Sequence, residues 1–302
     1  MGSNEKGRAP DDLEDALMRL EGNKDIKQGK IGKRLHAREQ AAETLHELAD
    51  EIPEEVAQYS NQLVDEIYEE FHRDYADVEI IAADFEDQSD SIVSTLLSTL
   101  ESLSSEYHAA IADSSYVNLL LELDDEGHST AMWCLKNVAW VDPELVEPAV
   151  ERILDAMQEA DTSRARGAML CASKLIYEGV GVEFFADNID VVVDVVASAS
   201  ADNPRPGDRD REFAARVLQR VAWKAPEAVV EKTPTLVRAL PNCEDDTQEN
   251  LIEMVRGLCS STPDDMVPYI ADLVEAASEL NDEHHGNLLS AFSSVASSNP
   301  DA

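Results

Sequence analysis

The sequence predicts an all-α chain, an α-solenoid of about seven tandem helical hairpins with the last one truncated as a cap. Three observations predict it. One phrase occurs twice, as Val138-Ala139-Trp140-Val141-Asp142-Pro143-Glu144 and Val221-Ala222-Trp223-Lys224-Ala225-Pro226-Glu227. Its prolines belong to a series (Pro53, Pro143, Pro226, Pro263, Pro300) in which the last two intervals are both 37 residues. The same apolar stripe precedes every member of that series, and such self-similarity marks a repeat architecture.

The stripe carries the argument. Counting back 12, 11, 8, 5 and 4 residues from Pro53 gives Ala41, Ala42, Leu45, Leu48 and Ala49. His108 serves as a weaker anchor and gives Leu96, Leu97, Leu100, Leu103 and Ser104. Pro143 gives Ala131, Met132, Leu135, Val138 and Ala139. Thirty-seven residues on, Val180 lies in a Gly179-Val180-Gly181 turn that replaces proline, and gives Ala168, Met169, Ala172, Leu175 and Ile176. Pro226, Pro263 and Pro300 yield Ala214 to Ala222, Leu251 to Cys259, and Leu288, Leu289, Phe292, Val295 and Ala296. These offsets trace one face of a helix.

A second helix is expected after each anchor. Pro53-Glu54, Pro143-Glu144, Pro226-Glu227 and Pro263-Asp264 suit a first helical turn, where the ring presets φ and a carboxylate meets the positive end. Val56, Leu63, Val64, Val146, Ile153, Leu154, Val229, Leu236, Val237, Met266, Leu273 and Val274 form its expected apolar faces. Residues 73–90 and 198–211 interrupt the period and are expected as inserted loops. The organisation predicted is therefore 1–34, a short amphipathic helix (Leu13, Ala16, Leu17, Leu20) plus a basic flexible segment, and 35–302, the repeat array.

The period and the small-residue stripe resemble the HEAT/armadillo superfamily over residues 35–302. The resemblance implies a superhelical stack and leaves function open, because such repeats serve unrelated roles.

Charge is the dominant compositional signal: 63 Asp and Glu against 24 Lys and Arg give −39. The acid is spread among periodic apolar positions, so it is not a disordered tail. Such self-repulsion destabilises a compact state at ordinary ionic strength and is screened at molar salt, where the Debye length is about 3 Å. A halophilic, haloarchaeal source with an acidic proteome is the simplest account. The four cysteines form no CxxC and read as reduced core residues, which predicts a cytoplasmic protein. No apolar run reaches membrane-spanning length, the N-terminus lacks a signal-peptide core, and Lys6 stands where a myristoylation signal needs Ser or Thr.

Residues 1–40 break the pattern, with 9 basic and 8 acidic side chains. Lys24, Lys27, Lys30, Lys33, Arg34 and Arg38 recur every few positions and are the candidate site for an anionic partner, a ribosome or nucleic acid. The competing expectation is that this strand folds back on its own acidic array. Trp140 and Trp223, each three before its anchor, are the candidate protein-binding ridge, weighed against packing between hairpins. Arg205, Arg209, Arg211, Arg216 and Arg220 form a second basic cluster, which interleaved Asp202, Asp208, Asp210 and Glu212 are expected to neutralise.

Nothing points to catalysis, a cofactor or a metal. Gly29-Lys30 lacks the spacing and the Ser or Thr of a phosphate loop, and the adjacent His284 and His285 are expected on the surface with diverging rings. A non-enzymatic scaffold or adaptor for a protein partner is the function predicted. The alternatives are ribosome or nucleic-acid association, and an enzyme resembling the HEAT-like DNA glycosylases. The latter need a positive concave face that so acidic an array is not expected to offer.

Overall fold

A computed structural model describes residues 9–21, 31–73, 82–103, 105–159, 162–197 and 208–298. Regular structure among them is helical throughout. The chain divides into two compact units, residues 1–145 and 146–302.

Unit 1 contains α1 (Ala9–Glu21), α2 (Ile31–Glu51), α3 (Pro53–Ala57), α4 (Ser60–Phe71), α5 (Ala82–Ser102), α6 (Ser105–His108), α7 (Ser114–Asp125) and α8 (Thr130–Val141). The short α9 (Pro143–Val146) holds the boundary. Unit 2 contains α10 (Val150–Met157), α11 (Ser163–Glu178), α12 (Val182–Asp187), α13 (Ile189–Ala197), α14 (Asp208–Lys224), α15 (Pro226–Val230) and α16 (Thr233–Ala239). It ends with α17 (Asp245–Ser261), α18 (Pro263–Met266), α19 (Ile270–Ala277) and α20 (Asp282–Ser298).

Each unit is a stack of hairpins. First helices pack on first helices, α2 on α5 and α5 on α8 in unit 1, and α11, α14, α17 and α20 in sequence in unit 2. Second helices form a parallel row, with α10, α13, α16 and α19 in unit 2. The stripe residues explain this layer. From Ala41 to Cys259 every described member is buried, and its many alanines let helices approach closely. Successive hairpins stack in the register of the repeat: the Cys134 thiol donates to the Leu97 carbonyl at 3.7 Å, 37 positions back. The last helix differs. Leu288 and Val295 are buried, but Leu289 is 40% exposed, because no described element covers its far side.

The anchors act as the sequence predicts. Pro53, Pro143, Pro226 and Pro263 each open a helix, where a missing N–H costs nothing. At the fourth anchor Gly179 takes φ +95°, and Val180 N–H closes back on the Leu175 carbonyl at 2.9 Å. That left-handed closure ends a helix as firmly as proline opens one.

Three expectations need correction. The second helices are broken pairs, because Pro148 and Pro268 sit in 3₁₀ turns (Glu147–Ala149, Val267–Tyr269) and Pro234 opens a separate helix. Residues 82–90 are not a loop but the first turns of α5, and 208–211 open α14 with Asp210 and Arg211 buried. Residues 74–81 and 198–207 lie outside the described residues. The array also begins earlier than residue 35, at Ile31, and α1 lays Leu13, Ala16, Leu17 and Leu20 against α2.

Candidate functional site

The predicted basic segment divides. Lys24, Lys27 and Lys30 lie outside the described residues. Lys33 is exposed on the first turn of α2, which also carries Arg34. Arg38 is corrected outright: it is 1% exposed, with Nη2 at 3.1 Å from both Glu66 Oε2 and Glu70 Oε2. Glu70 also meets Arg73 Nη1 at 3.0 Å and accepts from Ser89 Oγ at 3.0 Å. The cluster joins α2, α4 and α5, and that internal work removes Arg38 from any surface. Enclosing a guanidinium so completely is costly unless it is paired, and here two carboxylates pair it.

The two tryptophans are surface residues, with Trp140 58% exposed in unit 1 and Trp223 48% exposed in unit 2. Tyr177, 52% exposed, is a third aromatic at the same offset, three before the Val180 anchor. In unit 2 one arginine bridges the second and third of these across neighbouring helices. The Arg220 guanidinium of α14 lies 4.8 Å from the Tyr177 ring of α11 and 4.7 Å from the Trp223 ring. Arginine stacks well on aromatic faces because its planar cation is weakly hydrated.

The stack is held from behind. Gly257 of α17 faces the Trp223 indole, and a Cβ there would stand 3.1 Å from Cδ1 and Nε1. Arg220 is half-buried, and its Nε is buried with no hydrogen-bond acceptor among the described residues. Burial pushes the guanidinium below its usual pKa, and the nearby Arg216 cation adds to that push against the opposing influence of Tyr177.

Other cations of this face are spoken for. Arg166 Nε meets the buried Asp210 at 2.6 Å, Arg216 meets Glu212 at 2.7 Å, and Lys174 meets Glu178 at 2.5 Å. Arg205 lies outside the described residues and Arg211 is buried, donating to the Asn242 carbonyl. The expected local neutralisation thus holds for Arg216, but Arg220 has rings where a carboxylate was expected.

The cations of unit 2 concentrate on two neighbouring first helices. Helices α11 and α14 together carry eight basic and four acidic side chains. Helices α12, α13, α15, α16, α18 and α19 carry nine acidic and one basic. The next first helices do not share this excess, since α17 and α20 together carry six acidic side chains and one basic.

In unit 1 a shallow cleft of about 200 Å³ lies between α4 and α7, lined by Asp65, Tyr68, Asp113 and Tyr116 among others. Its buried neighbours are inert. Burial pushes the Cys134 thiol up to about 12 and raises Tyr116 well above its ordinary value, so neither supplies a nucleophile near neutral pH. No group of three metal-ligating side chains occurs among the described residues. His284 is buried, a correction to its expected exposure, and His285 Nδ1 lies 2.8 Å from the Ala277 carbonyl. No described helix is long and apolar enough to cross a membrane.

Neither a protein-family model nor a curated protein matches the chain. Solved structures do match its fold. A crystal structure of an engineered protein superposes with TM-score 0.65 at 16% identity, covering 94% of this chain and 68% of that one. Kap95p, whose binding induces the switch loops of RanGDP to adopt the GTP-bound conformation, superposes with TM-score 0.69 at 14% identity. That match covers 98% of this chain but only 38% of Kap95p. A designed armadillo repeat protein in complex with the peptide (KR)4 superposes with TM-score 0.56 at 15% identity, covering 78% and 98%. The chain has the all-α solenoid fold of HEAT/armadillo-like repeat proteins.

Proposed function

We propose that this chain is a non-enzymatic scaffold that binds a protein partner through the exposed edge of its first helices. The observation that carries the reading is the Tyr177–Arg220–Trp223 stack. Large aromatics and arginine are the side chains that dominate protein interfaces when they are held rigid, and these three lock one another before any partner arrives. Trp140 repeats the same position in unit 1. Structural neighbours that bind Ran, or the peptide (KR)4, use the same kind of fold, which supports the reading in kind but not in partner.

Ribosome or nucleic-acid association through Lys24, Lys27, Lys30, Lys33 and Arg34 is the rival, and it has lost Arg38 to the interior. The test is capture from host lysate at native salt, with and without nuclease, using wild type and a Tyr177→Ala/Trp223→Ala variant. The expected result is one stoichiometric protein, retained after nuclease and lost by the variant. Material that vanishes with nuclease and ignores the variant overturns the proposal in favour of the rival.

A further inference from the structure

Arg220 poses a question of supply. The chain holds 63 carboxylates for 24 Lys and Arg, yet this half-buried guanidinium has no carboxylate partner among the described residues. Its contacts are two ring faces; its Nε is buried without an acceptor, so the donors left for an outside group are those of the two Nη atoms. Stacked rings cover the faces of a guanidinium and leave its edge, where the N–H donors lie. Two further cations of the same helix, Arg209 and Lys224, are exposed. Lys224 lies one helical turn beyond Arg220, on the same side as Trp223.

We infer that the α11–α14 face of unit 2 is the docking surface for an acidic peptide segment of a protein partner. Arg220 receives a carboxylate at its edge, while Tyr177 and Trp223 hold an apolar or aromatic side chain beside it. The inference rests on the scaffold reading above and names the chemistry of its partner.

Charge complementarity selects this occupant over two others. A basic peptide suits the acidic second helices but meets an excess of cations here. A nucleic-acid strand draws its affinity from many phosphate contacts, commonly ~6–10. Among the described residues this face offers only Arg209, Arg220 and Lys224 outside internal ion pairs, beside Glu178 and Glu212, which would oppose a continuous polyanion. One or two carboxylates are what the geometry can satisfy, and the forked donors of arginine match that group.

Salt dependence follows with an unusual sign. The net charge of −39 repels an acidic segment at long range. At about 0.5 M KCl the Debye length is roughly 4 Å, so that repulsion fades while contact pairs keep part of their strength. Acidic probes should therefore bind better at about 0.5 M than at about 0.05 M KCl, and basic probes worse.

The test is fluorescence anisotropy of the full chain with three labelled probes at about 0.5 M KCl. They are a short peptide of Glu and Asp around one Phe, its Lys and Arg counterpart, and an oligo-dT of equal length. The acidic probe should bind most tightly. Arg220→Ala should weaken it by about tenfold or more while lowering the thermal midpoint by no more than about 4 °C, and Arg220→Lys should restore only part, since lysine lacks the fork. The inference is overturned if the acidic probe fails to bind, if either other probe binds more tightly, or if Arg220→Ala leaves binding unchanged. Should lysate capture still yield a protein lost by Tyr177→Ala/Trp223→Ala, only the acidic chemistry falls. Should capture yield none, the scaffold reading falls with it.

Discussion

Arg38 of unit 1 and Arg220 of unit 2 are both drawn out of water, and they are partnered in opposite ways. Arg38 of unit 1 is enclosed by Glu66 and Glu70, contributed by a helix 28 and 32 residues further on. Arg220 of unit 2 is enclosed by Tyr177 and Trp223. In so acidic a chain a carboxylate is the readiest partner, and Arg38 shows what the fold does when a cation serves only packing. Arg220 departs from that solution at a half-exposed edge. On the reading proposed above, the difference separates a cation that ties helices together from one available to a partner.

Removing each in turn gives the sharpest way to break this comparison. Arg38→Ala should cost the most, about 3–5 kcal/mol, because it strands buried carboxylates. Urea denaturation reads it, and a simultaneous exchange of Arg38, Glu66 and Glu70 for Met and Leu should recover most of the loss. A cost below about 1 kcal/mol would mean that the cluster behaves like a surface pair. Gly257→Ala comes next. Alanine favours the helix by up to about 1 kcal/mol, but its Cβ presses on the Trp223 indole. The half-exposed ring can yield, so stability should hold or rise while tryptophan emission shifts to the red. Arg220→Ala should change stability by no more than about 1 kcal/mol, the scale of exposed cation–π contacts.

The smallest effect concerns pH. Burial lowers the His128 pKa, against the pull of Asp90 and Glu126. The unfolded chain then binds the proton more readily than the folded one. Stability should be full above the unfolded value of about 6.5 and decline as pH falls through it toward the folded value. His128→Gln, followed by urea midpoints across that range, should remove this component of the slope.

The stripe from Ala41 to Cys259 was legible because burial imposes one residue class at every turn, and periodicity reports class directly. Trp140 and Trp223 were legible as equivalent residues because proline marks their register. Tyr177 was missed, since its anchor is a glycine turn and one tyrosine in a helix attracts no notice. The breaks in the second helices were written in Pro148, Pro234 and Pro268, but the apolar pattern runs through them and masks the kink. Arg38 was misplaced because sequence displays charge and not the carboxylates that meet it from another helix. For Arg220 the interleaved Asp208, Asp210 and Glu212 suggested neutralisation. In space Asp210 turns to Arg166 and Glu212 to Arg216, leaving Arg220 to the rings.

The most direct test of the central claim pairs two readings on Arg220→Ala, its urea midpoint and its capture of partner at native salt. The account predicts a midpoint close to wild type together with loss of the captured protein. Capture at wild-type level, or a midpoint lowered as far as that of Arg38→Ala, would contradict it.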